Sequence, residues 1–230
     1  MTVKAVVFDL FKTLGEFSRI VADEEASAFL RSKGYAVYPQ AWRHAFNFTV
    51  FMEYPRHGYG SHEALIGRAL QFLEVEVDEG SIHELAELFR ANPFTLYGES
   101  LEAVEMAKRL GLKTAIATTT PKAFFVRGLG KVAGLIDFVC TGYEAGCEKS
   151  NPRMYRVIAD RLGVEPSEAV VIGDNPVLDV VNPKKYGMKA IQIVKEGVPS
   201  DQADGSASNV LEAVKLVERW VWSVAPAKEV

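Results

Sequence analysis

In this chain of 230 residues, Asp9, Thr118, Thr119, Lys149, Asp174 and Asp179 stand where short apolar runs give way to turns or helices, and Phe11 and Thr13 follow closely on Asp9. Together they supply a carboxylate that can act as a nucleophile, hydroxyls that can hold an anion's oxygens, one ammonium and an acidic pair. Acidic pairs with an open position are the usual protein ligands of Mg²⁺, which also takes substrate phosphate oxygens. A lysine beside them supplies the remaining positive charge for a transferring phosphoryl group. Singly, each residue type is common at strand ends and surfaces; their recurrence in one pattern is what points to chemistry.

These residues converge only if the elements before them share an edge. Residues 3–8 form a β-branched, almost wholly apolar run, as expected of a strand buried on both faces of a parallel sheet. The same pattern recurs at 114–118, 136–140, 169–173 and 189–194. Between the later strands, Leu101, Val104, Ala107 and Leu110 mark one helical face stopped by Gly111, and Asn151 with Pro152 opens a helix carrying Met154, Ile158 and Leu162. A last helix covers about 209–221, and 195–208 reads as a surface loop. Alternating strands and helices with short connections predict a doubly wound, mostly parallel α/β sheet, whose ligands bind outside the carboxyl ends of the strands.

The stretch from about 16 to 95 breaks this rhythm. Four groups of apolar residues, around Phe29, around Trp42 and Phe46, around Leu65 and Leu70, and around Leu85, predict four helices. The organisation expected is a Rossmann-like core of residues 1–15 and 96–230 with an all-helical module of 16–95 inserted after the first strand. Two connections allow it to hinge over a site. In the Trp42, Phe46, Phe48, Phe51 and Tyr54 run, Phe48 and Phe51 fall off the main stripe and could line an apolar pocket.

The composition sets bounds on partners. Asp and Glu number 30 against 26 Lys and Arg, a net charge of −4. That argues against a nucleic-acid or anionic-membrane surface. The 48% hydrophobic content, the lack of a long apolar span or signal-like start, and only two cysteines, Cys140 and Cys147, lead us to expect a soluble cytoplasmic protein. A small anionic metabolite is expected as its substrate from the lysine, hydroxyls and acidic pair above. Trp220 and Trp222 can pack on the core or on a second copy, so a monomer and a homodimer are both compatible with the sequence.

The segments Phe8-Asp9-Leu10-Phe11-Lys12-Thr13-Leu14, Ala117-Thr118-Thr119, Glu148-Lys149-Ser150-Asn151-Pro152 and Gly173-Asp174 with Asp179 resemble, in order, the four motifs of the haloacid dehalogenase superfamily, and the inserted module resembles its helical cap class. The resemblance implies that Asp9 is the nucleophile that forms an aspartyl intermediate, with Thr118 and Lys149 holding the transferred group. Backbone N–H groups around Phe11 and Thr119 would assist them. It implies a Mg²⁺ held by Asp9, the Phe11 carbonyl, Asp174 and Asp179, the last as a ligand or as an orienting group.

One position departs from the family's phosphatases, which usually carry a second aspartate two residues after the nucleophile as general acid and base; here it is Phe11. An aromatic residue there occurs in the haloacid dehalogenases proper, whose halide leaves without a proton. Those enzymes use no metal and have other residues where this chain has Gly173-Asp174. The sequence therefore points first to a Mg²⁺-dependent phosphatase, then to a 2-haloacid dehalogenase, and then to a weakly active or non-catalytic phosphate-metabolite binder. All four histidines, His44, His57, His62 and His83, lie in the inserted module. Within its glycine-bearing 55–62 loop, Arg56, His57 or His62 is expected to reach the site on closure and to bind an anionic substrate or supply a proton.

Overall fold

The computed structural model of the chain describes residues 2–222. Its strands are β1 (Ala5–Asp9), β2 (Gly15–Phe17), β3 (Phe94–Leu96), β4 (Lys113–Ala117), β5 (Phe138–Cys140), β6 (Ala169–Gly173), β7 (Lys189–Ile193) and β8 (Gly205–Ala207). Its helices are α1 (Asp23–Ser32), α2 (Pro39–Phe48), α3 (Tyr54–His57), α4 (His62–Phe72), α5 (Glu79–Arg90), α6 (Ser100–Arg109), α7 (Lys122–Phe125), α8 (Gly142–Ala145), α9 (Arg153–Leu162), α10 (Asn182–Lys185) and α11 (Val210–Trp222).

Six strands pair in the order β5-β4-β1-β6-β7-β8, every pair parallel. The apolar runs explain this sheet, because alternate residues of a strand face opposite sides and both sides are covered here. Val6 and Phe8 of β1 join Ile116, Val170 and Ile172 in a core closed by α6 and α11. Ala5 and Val7 join Ala115, Ala117 and Val171 in a second core closed by Met154, Tyr155 and Ile158 of α9. Each large aliphatic or aromatic side chain so buried contributes about 1.5–3 kcal/mol.

A third core lies between β2 and β3 in sequence, where α1, α2, α4 and α5 pack Ala26, Leu30, Trp42, Ile66, Leu70 and Leu85 together. The spacing expectation of four helices fits this, with one refinement: α2 runs through a π-helical segment, Thr49–Glu53, into the short α3. The supposed 55–62 loop is therefore helical through His57, and only 58–61 connect to α4, which Ser61 caps by accepting from the Ala64 N–H at 3.1 Å.

Two sequence readings are corrected. The 195–208 segment is not all loop, since Gly205–Ala207 adds β8 to the sheet edge beside Ile191–Ile193. Gly15–Phe17 and Phe94–Leu96 pair antiparallel as a two-stranded ribbon joining the sheet to the helices, so strands sit where the sequence placed the ends of the helical stretch. Each is only three residues long, too short to display a period of two. Trp220 packs against the core beneath α11, whereas Trp222 is exposed.

Candidate active site

β1 pairs with β4 in a register that sets Asp9 opposite Ala117, so Asp9 and Thr118 emerge at the same sheet edge. On the other side of β1, β6 ends at Gly173 and delivers Asp174 there. After Asp9 the chain turns sharply: Leu14 and Gly15 N–H groups donate to the Leu10 carbonyl at 2.9 and 3.1 Å, and Lys12 takes a left-handed φ of 64°. For a non-glycine residue that conformation costs roughly 1–2 kcal/mol. The turn buries Thr13, whose hydroxyl has no hydrogen-bond partner, and leaves Phe11 half-buried.

Lys149 reaches the same point from the loop between α8 and α9. The Asn182 side-chain amide holds that loop, donating to the Ser150 carbonyl at 3.0 Å. The Lys149 ammonium pairs with Asp9 and, at 2.7 Å, with Asp179. Asp179 arrives through the π-helical turn Pro176–Val181, which Asn175 caps by accepting from the Val177 and Leu178 N–H groups. Its carboxylate also accepts from the Asn175 N–H at 3.0 Å and lies against the Tyr155 hydroxyl. Gly173 makes this possible, because a Cβ there would overlap the Asp179 carboxyl group.

Carboxylate oxygens of Asp9, Asp174 and Asp179 thus lie within 4.8 Å of one another. Asp9, Asp179 and Lys149 are 8%, 1% and 2% exposed. Burial pushes the Asp9 carboxyl up to about 7, with Asp179 and Asp174 adding to the rise and Lys149 opposing it. Asp174 is raised as well, first by burial and then by Asp179. Burial opposes charge on Lys149, yet Asp179 and Asp9 hold its ammonium well above the usual lysine value. Three carboxylates sharing one paired ammonium form a hard-oxygen donor set short of positive charge, so the residues present fit a divalent cation such as Mg²⁺.

Asp9 also opens into a cavity of about 340 Å³. Thr118 and Thr119 line its inner end with Asp9, Phe11 also lines the cavity, and the Thr118 hydroxyl accepts from the Thr120 N–H at 3.1 Å, which leaves its own proton to donate. The outer wall comes from α2, the π-helical segment, α5 and α7 through Phe46, Val50, Phe51, Phe89 and Phe124. Of the two off-stripe aromatics, Phe51 lines the cavity; Phe48 instead stacks on Phe72 at 4.7 Å.

The structure does not bring Arg56, His57 or His62 to the cavity lining. Arg56 and His57 are exposed on α3, which Gly58 ends in a left-handed turn pressed against the Tyr143 ring. His62 is buried behind the wall, its ring 4.4 Å from that of Phe124, and burial with Arg90 holds its imidazole below the usual value. His83 pairs with Glu63 on the surface. Sequence reasoning missed Arg19, Asn47 and Asn92, the polar residues of the outer cavity, and Tyr155 beside Asp179. Their spacing carried no signal, since Tyr155 sits among the apolar positions of α9 and Arg19 lies in an irregular stretch.

A sequence model of the haloacid dehalogenase-like hydrolases matches residues 3–181. The chain is 29% identical over 213 residues to a phosphoserine phosphatase of Thermus thermophilus, covering 86% of this chain and 84% of that protein. It is 23% identical over 204 residues to (S)-2-haloacid dehalogenase 4A of Burkholderia cepacia, covering 87% of each. Among solved structures, a 2-haloacid dehalogenase from Pseudomonas syringae superposes with a TM-score of 0.72 at 20% identity, over 95% of this chain and all of that one.

Proposed function

The chain belongs to the haloacid dehalogenase-like hydrolases, and from that premise we propose that it is a Mg²⁺-dependent phosphatase, acting on a small phosphorylated metabolite through an aspartyl-phosphate on Asp9. The observation that carries this reading is the gathering of Asp9, Asp174 and Asp179 around one cation-sized space beside Lys149, a charge deficit that loss of a halide would not need.

In the first step an Asp9 carboxylate oxygen attacks phosphorus and the bond to the leaving oxygen breaks. Lys149 and the Thr118 hydroxyl hold the phosphoryl oxygens, with backbone N–H groups around Phe11 and Thr119 as further donors. In the second step water attacks phosphorus, the bond to Asp9 breaks, and inorganic phosphate leaves with the carboxylate restored. Mg²⁺, held by Asp9, the Phe11 carbonyl, Asp174 and Asp179, would supply charge neutralisation of the phosphoryl oxygens. Residues 16–95 act as a cap over the core of 1–15 and 96–230, with Phe46, Phe51 and Phe89 forming the wall above Asp9. The Arg56, His57 and His62 assignments require a closing movement of α3 and of the start of α4.

Phe11 cannot give a proton to the leaving oxygen. A general acid is worth about 10² to 10⁴ in rate, so poor leaving groups face about 3–5 kcal/mol of extra barrier. That residue and the apolar wall favour a second reading, hydrolysis of a 2-haloacid, whose halide needs no proton. Among the described residues no helix is long and apolar enough to cross a membrane. Our reading is of a cytoplasmic enzyme working as a monomer or a homodimer, with no nucleic-acid or membrane partner.

Phosphate release from phosphomonoesters and acyl phosphates, with and without Mg²⁺, tests the proposal. Release is expected to require the metal and to vanish in Asp9→Asn. Metal-independent chloride release from haloacids, with no phosphate release, would replace it with the dehalogenase reading. Mg²⁺ binding without turnover of any substrate would favour a non-catalytic binder.

A further inference from the structure

The cavity above Asp9 has two unlike ends. At the inner end stand the carboxylate, the Thr118 and Thr119 hydroxyls and the nearby ammonium. The outer end is walled by aromatic rings: Phe11 and Phe17 with centroids 6.0 Å apart on one side, and Phe46, Phe89 and Phe124 within 5.5–6.3 Å of one another in tilted and edge-on arrangements. Such arrangements leave ring faces and edges for another aromatic ring to pack against.

Of the outer cavity's Arg19, Asn47 and Asn92, two are already engaged within the fold. Arg19 is held in a two-point pair with Glu25 at 2.5 and 2.9 Å, and the Asn92 amide donates to the Leu88 carbonyl at 2.8 Å. A sugar or an amino acid bound there would lose water from several hydroxyls or charges and meet few partners, a cost of about 1–3 kcal/mol for each group left unpaired. The cavity's 340 Å³ exceeds the ~150 Å³ that suffices for benzene in a dry apolar site, so one or two rings fit together with a phosphoryl group.

Leaving-group chemistry selects the same substrates independently of cavity shape. With Phe11 in place of an acid, the leaving oxygen must depart as an anion. A phenolic oxygen has a pKa of about 10 and leaves as a stable aryloxide, whereas an alcohol close to water, at about 16, does not.

Resting on the phosphatase reading above, we infer that the substrates of this site are phosphate monoesters of phenols: uncharged aryl groups of one or two rings, seated between Phe11 and the Phe46, Phe51 and Phe89 wall. The Asp9 carboxylate forms the bond to phosphorus, the phosphorus–aryloxide bond breaks with its electron pair on oxygen, and the aryloxide takes its proton from solvent. Water then releases phosphate from Asp9.

The test compares kcat/KM for 1-naphthyl, phenyl and cyclohexyl phosphate, phosphoserine and glucose 6-phosphate on the full chain with Mg²⁺, using Asp9→Asn as the blank. We expect the two aryl esters to exceed phosphoserine and glucose 6-phosphate by at least about 100-fold. Cyclohexyl phosphate, apolar but a poor leaving group, should match phenyl phosphate in KM within about threefold and fall behind it in kcat. Phe51→Ala, at a side chain 40% exposed and so safe for folding, should raise KM for 1-naphthyl phosphate roughly tenfold while kcat falls less than about threefold. Asp9-dependent hydrolysis of phosphoserine or glucose 6-phosphate at the aryl rate would keep the phosphatase and overturn the aryl assignment, as would an unchanged KM in Phe51→Ala. Absence of Asp9-dependent release from every ester would overturn both.

Discussion

Glu148 and Lys149 are neighbours in the chain, yet the fold treats their charges in opposite ways. The Lys149 ammonium is buried between two carboxylates. Glu148 turns toward Gly142 and Pro55, where one carboxyl oxygen is buried without a hydrogen-bond partner, and burial pushes its pKa up to about 7. The sign follows from linkage: a carboxyl whose folded pKa lies above its unfolded value contributes its full stability below the unfolded value, near 4.5, and loses it as pH rises through 7. Above pH 7 the ionised group is a net cost, of about 1–2 kcal/mol once screening of a half-buried site is allowed for. Glu148→Gln should therefore raise the melting temperature by roughly 4 °C at pH 8 and change it little at pH 4.5. Thermal denaturation across that range checks this, and equal shifts at both pH values would mean that the carboxyl's charge is not what the fold opposes.

At the scale of elements, the end of β6 and the turn behind it act as one device. β6 must end in Gly173 because Asp179, four residues into the turn capped by Asn175, folds back over that Cα to reach Lys149. Gly173→Ala should leave the sheet intact but displace Asp179, and displacement of about 1 Å in such a site costs on the order of 100-fold in turnover. Steady-state kinetics beside far-UV circular dichroism reads both, and near-normal turnover would remove Asp179 from the site. The motif was legible in the sequence because a parallel strand buried on both faces leaves a continuous apolar run and a polar residue at its end, as at Phe8-Asp9 and Ile172-Gly173-Asp174. The cavity wall was not, since Phe17, Phe89 and Phe124 come from three separate elements and their spacing is that of ordinary core positions. Arg56 and His57 stand outside the cavity lining for a related reason: their types suit substrate binding, but their direction here is set by Tyr54, whose hydroxyl meets Thr141 at 3.0 Å and accepts from the Lys122 N–H.

For the molecule as a whole, the question is whether three cores behave as one. Among the described residues, the helical core of α1, α2, α4 and α5 shares no side chain with the two cores on the sheet, and the chain passes between them only beside β2 and β3, where the Ser18 N–H donates to the Pro93 carbonyl at 3.3 Å. Its other ties are a few rings and polar contacts: Phe46, Phe89 and His62 against Phe124 of α7, the Tyr54 hydroxyl, and Gly58 against Tyr143. β1, by contrast, is hydrogen-bonded on both sides and wholly buried. Opening free energy follows the contacts that must be broken, so the helices should open without the sheet. Native-state hydrogen exchange should give amides of α1 and α5 an opening free energy on the order of 2 kcal/mol below those of β1, β4 and β6. Inorganic phosphate with Mg²⁺ should slow exchange chiefly at residues 10–15 and 174–179, because an ion that small reaches the inner end of the cavity and not its aromatic wall. An aryl phosphate bound to Asp9→Asn would touch both, and should slow the Phe46 and Phe89 segments as well. A single opening free energy for helices and sheet would mean that the ribbon and the Tyr54 contact lock the cores together, and substrate entry would then have to occur through the open mouth at Ile20 and Phe51 without movement of the helices.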